Sequence, residues 1–355
     1  MGASRGTDGS SGAVELGLLD GFRFTCRPDC RLCCFAEPAA SGAERRVLVQ
    51  IEPELEWREE DALLSRIAAR PDGGACQLLE AARCRAHYAR PYPCRAYPVH
   101  VHVGDRAQAS LVLSCPGVGL EPLAASPPAT RAAPPWGLDS EIAAVREEAR
   151  AAPIDELLRR ASRLLDRALR QSGLDREELE EARRRSTDLR LPPLAESGLA
   201  PPGPEEPLEE LPLLWAGSRG VLLLCRHEDG SYEPLRPRES GGVAERLGRF
   251  LPPEPPAALD ARARGVVDGY LRFLLRRDQF LWSVVHEYDP ETEADFEGAL
   301  RRTLAEVRLE LLARGSVLAR LDGGTGERLG VADVERGIRA IDSDLLDRPG
   351  PGLQL

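Results

Sequence analysis

The chain has 355 residues, of which 42% are hydrophobic and 30% charged, and its formal net charge is −11. This balance is typical of a globular protein with two or three domains. The negative charge argues against a general nucleic-acid binder. The sequence contains no lysine, which excludes lysine-dependent chemistry such as Schiff-base formation.

The N-terminal sequence lacks the apolar stretch of a secretory signal peptide. No apolar run reaches the ~18 residues that suggest a membrane span. We therefore expect a cytoplasmic protein without a membrane partner.

In chain order, the sequence predicts an α+β protein in which a small cysteine-rich metal-binding domain, with a β-hairpin and short helices, precedes a mainly α-helical C-terminal region. The predicted parts are a disordered tail at 1–15, the cysteine-cluster domain at 16–120, a linker at 121–136, a helical segment at 137–190, a Pro/Gly linker at 191–212, and a mostly helical region with a short β-hairpin at 213–355.

Apolar residues at helical spacing support the predicted helices. The clearest stripes run through Leu157–Leu169, Leu259–Trp282, Phe296–Leu312 and Asp333–Leu346. The predicted hairpin has strands at Gly220–Cys225 and Ser231–Leu235, joined by a turn at Glu228–Gly230.

Eight of the nine cysteines fall within one 90-residue window, and Cys225 lies outside it. In a reducing compartment such crowding favours metal ligation over disulfides, which are the alternative. The predicted metal ligands are Cys26, Cys30, Cys33, Cys34, Cys76, Cys84, Cys94 and Cys115.

The first cysteine group is predicted to lie on a helical turn that begins at Pro28, because proline is tolerated in a first turn. Cys30, Cys33 and Cys34 then share one face. Cys26 precedes the helix N-terminus, where the dipole favours a thiolate.

In the second group, the prolines around Cys94 predict an extended loop from Arg90 to Pro98. A hairpin follows, with a two-residue turn at Gly104-Asp105. In this register paired residue numbers sum to 209, so Cys115 falls opposite Cys94. The hairpin would thus bring together two ligands that are distant in sequence.

The same register places His100 opposite Ala109 and His102 opposite Ala107, on the face shared with Cys94 and Cys115. Either histidine could be a further ligand or a donor to a ligand. The alternative is a pair of exposed strand histidines, since eight thiolates already suffice for most sites.

Ligand identity leaves the metal open, because four thiolates suit both zinc and an iron–sulfur cluster. Cys115-Pro116 is similar to the end of bacterial cluster motifs, which slightly favours iron–sulfur. Arg90 and Arg95 are best placed to balance the thiolate charge and are the predicted cofactor-binding residues. The alternative is that the arginines of this region are ordinary surface charges.

These motifs resemble the YkgJ-type cysteine-cluster family of zinc- or iron-chelating domains over about residues 20–120. The resemblance is carried by the first cysteine group, the Cys76 and Cys84 pair, the segment from Arg90 to Pro98, and Cys115-Pro116-Gly117. The family usually has two residues between the first cysteines, whereas Cys26 and Cys30 are separated by three. One relative type is the flagellin lysine N-methylase, so the resemblance implies S-adenosylmethionine as a cofactor and a protein as a substrate.

Two functions follow. One is a metalloenzyme for protein methyl transfer or redox chemistry, and the other is a non-catalytic zinc-binding structural or interaction module. A nucleotide loop would favour the enzyme, but Asp322–Gly326 is predicted to be a helix-ending turn. His227 beside Cys225 is predicted to be structural, and the aromatic residues before His286 are predicted to be core.

Overall fold

The computed structural model describes the chain between Val14 and Gln354 with internal gaps. The described residues are 14–27, 30–35, 37–59, 64–70, 74–80, 83–124, 138–151, 154–186, 209–210, 214–216, 219–242, 244–254, 256–293, 295–347 and 353–354. The predicted tail up to residue 13 and most of both predicted linkers lie outside these residues.

The part of the chain up to residue 124 consists of short elements. Its strands are β1 (Val14–Glu15), β2 (Ala39–Ser41), β3 (Trp57–Glu59), β4 (Leu64–Ile67), β5 (Leu79–Glu80), β6 (Arg83–Cys84), β7 (Val99–Val103) and β8 (Ala107–Leu111). Its helices are α1 (Gly42–Ile51), α2 (Tyr92–Ala96) and α3 (Glu121–Ala124), with 3-10 turns at Gly17–Leu19, Leu32–Phe35 and His87–Ala89.

The rest of the chain is mainly helical. Its helices are α4 (Asp139–Ala151), α5 (Ile154–Ser172), α6 (Arg176–Ser186), α7 (Ala261–Arg276), α8 (Asp278–Glu287), α9 (Phe296–Leu321) and α10 (Val331–Asp347). Its strands are β9 (Glu209–Glu210), β10 (Leu214–Trp215), β11 (Val221–Arg226), β12 (Tyr232–Arg236), β13 (Glu245–Arg246), β14 (Ala258–Leu259), β15 (Arg328–Leu329) and β16 (Leu353–Gln354). The predicted α+β class is confirmed.

The hairpin β7–β8 forms the centre of a four-stranded sheet in the order β1-β8-β7-β16. Its register differs from the predicted one by one residue, because Val99 pairs with Leu111 and Val103 pairs with Ala107. The turn therefore has three residues, 104–106, and is closed by Gly104 N–H donating to Arg106 O at 2.9 Å. The predicted pairing, with numbers summing to 209, is wrong.

Arg106 explains this longer turn. Its guanidinium donates to both carboxylate oxygens of Asp278 at 2.7 and 2.8 Å and forms an ion pair with Glu15 at 2.9 Å. Such a bidentate pair holds Arg106 outside the strand ladder. A contact with a residue 172 positions away in sequence thus determines the register.

The largest hydrophobic core joins this sheet to the C-terminal helices, so the hairpin is not packed only within the cysteine-rich region. Val101 and Leu111 of the hairpin are fully buried together with Tyr270 of α7 and Ile338 of α10. Gly269 lets α3 and α7 approach closely, because a Cβ there would lie 1.6 Å from Leu123 O.

The long helices begin and end where their sequences indicate. Asp260 caps α7 by accepting from Ala263 N–H at 2.7 Å, and Asp295 caps α9 in the same way from Gly298 N–H at 2.6 Å. At the end of α9, Gly323 takes a φ of +90°, which glycine adopts without strain. Asp322–Gly326 is therefore a helix-ending turn, as predicted.

The second predicted hairpin is also present, with Leu223 opposite Leu235 and Cys225 opposite Glu233. The loop that follows β12 contacts the cysteine-rich region, where Glu239 O accepts from Ala75 N–H at 3.2 Å. No helix within the described residues is both long and apolar enough to cross a membrane.

Candidate metal centre

In the first cysteine group, Cys33 and Cys34 lie in a 3-10 turn, Leu32–Phe35, rather than in an α-helix, and Cys30 precedes this turn. Cys34 N–H donates to Arg31 O at 2.8 Å, and Cys30 N–H donates to Arg27 O at 3.1 Å. Cys30 and Cys34 are both neighbours of Cys33, so three of the four cysteines of this group lie close together. Pro28, the predicted start of the helix, lies outside the described residues.

Cys76 precedes β5, and Cys84 is the last residue of β6, where it pairs with Leu79. Cys76 N–H donates to Cys34 O at 2.6 Å. This backbone bond joins the first cysteine group to the second. Cys76 is buried in a small core with Ala40, Leu48 and Ile67.

Cys94 lies in the short helix α2, so the predicted extended conformation of Arg90–Pro98 is wrong. Pro91 is the N-cap and Pro93 stands in the first turn, where a missing N–H leaves no hydrogen bond unmade. Cys94 N–H donates to Pro91 O at 3.0 Å. The prolines that suggested an extended loop thus start a helix.

These segments bring together an inner thiol group, which consists of Cys34, Cys76, Cys84 and Cys94. Each of the four thiols is close enough to the other three for negative charge on one to raise the pKa of another. The members come from four separate segments, a 3-10 turn, the two sides of a β-ladder and a helix. Such convergence of soft donors is typical of a thiolate metal site.

Burial raises the pKa of Cys76 to about 11 and that of Cys94 to about 12. In contrast, the Cys33 thiol donates a hydrogen bond that lowers the pKa of Cys34 to about 7 and raises that of Cys33. Cys34 is therefore the member of the inner group that ionises most readily. A bound cation would favour the ionised form of the other three.

The remaining cysteines form an outer thiol group, in which Cys30, Cys33 and Cys115 lie near the phenol of Tyr97 and Cys26 lies near Cys115. Burial raises the pKa of Tyr97, and the nearby Cys115, Cys33 and Cys30 raise it further. The Tyr97 hydroxyl donates a hydrogen bond to Cys115, and Cys26 is close enough to Cys115 to influence its pKa. Cys33 also lies near Cys94, so it connects the two groups.

The predicted meeting of Cys94 and Cys115 across the open end of the hairpin is wrong. Cys94 lies in α2 before β7, and Cys115 lies in a turn after β8, where its N–H donates to Val112 O at 3.1 Å. Cys94 belongs to the inner group and Cys115 to the outer. Tyr97, which no sequence pattern identified, lies beside Cys115.

The two strand histidines do not face the thiols, and the prediction that places them on a shared face with Cys94 and Cys115 is wrong. In the observed register His100 pairs with Ser110 and His102 with Gln108. His102 is 6% exposed, so exposed strand histidines are also wrong. Burial lowers the pKa of both imidazoles to about 4.

The two arginines predicted to bind the cofactor differ in what they contact. Arg90 is near Cys34, Cys84 and Cys94 and favours their charged forms. Arg95 forms ion pairs with Glu147 at 3.1 Å and with Glu44 at 3.6 Å. Arg90 is thus the better placed of the two predicted cofactor-binding arginines.

Within the described residues, no group of three or more His, Cys, Asp or Glu side chains is arranged so that it could hold a metal ion. The inner thiol group nevertheless supplies the number and type of donors that zinc or a cluster iron requires. The donor chemistry fits, and the thiols would have to move to close around an ion.

The other residues considered from the sequence lie elsewhere. His227 pairs with Glu233 at 3.2 Å in the β11–β12 hairpin, beside buried Cys225. The aromatic residues of α7 and α8 are core, including Tyr270, Phe280 and Trp282. The expectation that these aromatic residues are core is confirmed, and the structural role of His227 stays a prediction.

Residues 25–116 match the family CxxCxxCC, described as "Putative zinc- or iron-chelating domain". This is the YkgJ-type cysteine-cluster family, so the resemblance seen in the motifs is confirmed for this part of the chain. The match supports binding of zinc or iron by its cysteines. It covers about a quarter of the chain. Searches of curated proteins and of solved structures found no match.

Proposed function

We propose that the cysteine-rich region binds its metal mainly through the inner thiol group, Cys34, Cys76, Cys84 and Cys94. The observation that carries this proposal is that each of these four thiols neighbours the other three, although they come from separate segments. Four thiolates without a cation would repel one another. A bound thiophilic metal replaces this repulsion with attractive metal–sulfur interactions.

The surroundings of the group suit a negatively charged centre. Zinc with four thiolates carries a net charge of about −2, and Arg90 and Arg31 both lie near Cys34. Positive charge and N–H donors beside sulfur stabilise such a centre and tune its properties. Arg31 is itself fixed by an ion pair with Glu239.

We propose an iron–sulfur cluster for the cysteine-rich region, because Cys115-Pro116, which belongs to the outer thiol group, is similar to the end of bacterial cluster motifs. The alternative is zinc in a structural role, in which the metal joins four segments whose apolar residues belong to three separate hydrophobic clusters. Methyl transfer to a protein with S-adenosylmethionine remains a prediction that rests on the resemblance alone. The same is true of redox activity.

Anaerobic purification followed by zinc, iron and acid-labile sulfide analysis, with a visible spectrum, tests the proposal. A brown protein with iron and sulfide in equal amounts is the expected result. A colourless protein with stoichiometric zinc would establish the structural alternative. Protein that retains neither metal, and takes up neither on anaerobic reconstitution, would contradict metal binding altogether. A titration with S-adenosylmethionine tests methyl transfer separately.

A further inference from the structure

The turn that carries Cys115 is held by one side chain from the far end of the chain. The guanidinium of Arg339, in α10, donates to Leu113 O at 3.1 Å, to Val118 O at 2.8 Å and to Cys115 O. Arginine's planar set of five donors suits such a cluster of carbonyls. One residue therefore fixes the backbone on both sides of Cys115.

A second residue of α10 holds the start of the same turn. Asp342, one helical turn after Arg339, accepts from Leu113 N–H at 2.6 Å. Asp342 is itself fully buried and paired with Arg277 at 2.7 Å, and Arg277 also donates to Leu111 O. Asp342 and Arg339 of α10, together with Arg277 at the start of α8, therefore hold the backbone from Leu111 to Val118 by hydrogen bonds.

This turn also positions Cys26. Val118 forms an antiparallel bridge with Phe24, and Thr25 N–H donates to Gly117 O at 3.0 Å. The approach is so close that a Cβ at Gly117 would lie 2.5 Å from Thr25 O. The backbone around Cys115 therefore determines where Cys26 lies.

We propose that Arg339 is a positioning residue for Cys115, and that α10 thereby completes a second metal-binding site in the outer thiol group. This inference rests on the proposed metal binding by the cysteine-rich region. It assigns α10 a role in a centre whose cysteines all lie more than 200 residues earlier in the chain.

A merely structural role for Arg339 predicts a different outcome. If its hydrogen bonds only anchor α10, their loss lowers the stability of the whole fold and affects both thiol groups alike. If Arg339 positions Cys115, its loss weakens metal binding by the outer group and leaves the inner group intact. A positioning residue that acts through one ligand also has no further effect once that ligand is removed.

The test uses the full-length apo-protein and anaerobic titration with Co²⁺, whose thiolate charge-transfer absorption reports sulfur ligands. The variants are Arg339→Gln, Arg339→Lys, Cys115→Ser and the double variant Arg339→Gln/Cys115→Ser. Arg336→Gln is the matched control, because it removes an arginine of α10 that pairs with Asp322 and Asp333. Circular dichroism and Tm monitor the fold of each variant.

We expect wild type and Arg336→Gln to bind Co²⁺ in two phases. In Arg339→Gln, the affinity of one phase should fall at least about tenfold, the size usual for loss of a residue that orients a ligand. Arg339→Lys should recover part of that affinity, and Arg339→Gln should change nothing further in the Cys115→Ser background.

Wild-type binding by Arg339→Gln, or an equal loss of both phases, would overturn the inference and leave the proposed function standing. If wild type binds no Co²⁺, zinc or iron, the proposed function itself fails. If Arg339→Gln does not fold, the Co²⁺ affinities of Arg339→Lys and of Arg339→Lys/Cys115→Ser are compared instead. The same outcomes then support or overturn the inference.

Discussion

Arg277 and Asp342 form a buried ion pair, with Nη1 and Oδ1 2.7 Å apart and side chains that are 2% and 0% exposed. Asp342 also accepts from Tyr270 Oη at 3.1 Å and from Leu113 N–H at 2.6 Å. The pair therefore joins α8, α7 and α10 to the end of the hairpin β7–β8. It is the most deeply buried link between the helices and the cysteine-rich region among the ion pairs described.

Removing the charge of Asp342 should destabilise the protein strongly, because Arg277 would remain buried without a counter-ion. We expect Asp342→Asn to lower the free energy of unfolding by about 3–5 kcal/mol. Urea unfolding at neutral pH measures this change. Glu245→Gln is the control, since it removes an exposed pair with Arg236 and should cost less than about 1 kcal/mol. Equal losses in the two variants would refute the role assigned to the buried pair.

Replacing one member of the inner thiol group should remove metal. In Cys34→Ser, a hydroxyl takes the place of the thiol that ionises most readily, and we expect the metal content to fall to about half of wild type or less. Cys225→Ser is the matched control, because Cys225 is a buried cysteine of the separate β11–β12 hairpin. Metal per chain, measured by mass spectrometry of the digested protein, should not change in this control. Equal metal in both variants would argue against the inner thiol group.

Buried His102 and partly buried His100 should make the stability of the protein depend on pH. Burial lowers the pKa of His100 and His102 to about 4, below the unfolded value of about 6.5. Above pH 6.5 both histidines are neutral in the folded and in the unfolded state, so their ionisation does not change the free energy of unfolding there. As the pH falls from about 6.5 toward 4, these histidines are protonated in the unfolded state but stay neutral in the folded state. The free energy of unfolding therefore decreases.

At pH 5 each histidine should lower the free energy of unfolding by about 2 kcal/mol relative to pH 7. The variant His100→Gln/His102→Gln should lose less stability than wild type over this range, as measured by denaturant unfolding at several pH values. Parallel pH profiles of wild type and variant would show that these histidines are not responsible.

The close contact at Gly117 gives a further prediction. A methyl group there would lie 2.5 Å from Thr25 O and 2.9 Å from the Phe24 ring, so Gly117→Ala should cost about 1–3 kcal/mol. Gly265→Ala in α7 is the control, because nothing lies within 4 Å of its Cβ position and alanine favours a helix. The two Tm values provide the comparison. A Gly117→Ala protein as stable as wild type would mean that the turn can adjust.

Much of the fold can be predicted from local patterns, because apolar spacing and capping residues act over a few positions. The stripe in α5, the hairpin around Gly230 and the end of α9 at Asp322 are examples. The register of β7–β8 could not be predicted in this way, since the contact of Arg106 with Asp278 decides it. Gly104-Asp105 by itself favours the shorter turn.

The candidate site also has features that local sequence predicts and features that depend on tertiary packing. Local spacing indicates that Cys30, Cys33 and Cys34 lie close together. The grouping of Cys34 with Cys76, Cys84 and Cys94 depends on how separate segments pack. Tyr97 and Arg339 carry no motif, and only the folded chain brings them to Cys115. A tyrosine three residues after a predicted ligand is the only signal that could have pointed to Tyr97.

X-ray absorption spectroscopy at the edge of the metal that co-purifies anaerobically tests the central claim most directly. It reports the atoms bound to the metal without assuming which cysteines supply them. Thiolate ligation predicts about four sulfur neighbours per metal at about 2.3 Å, and an iron–sulfur cluster adds an iron neighbour. A first shell made of oxygen and nitrogen alone would contradict binding through the cysteine thiolates.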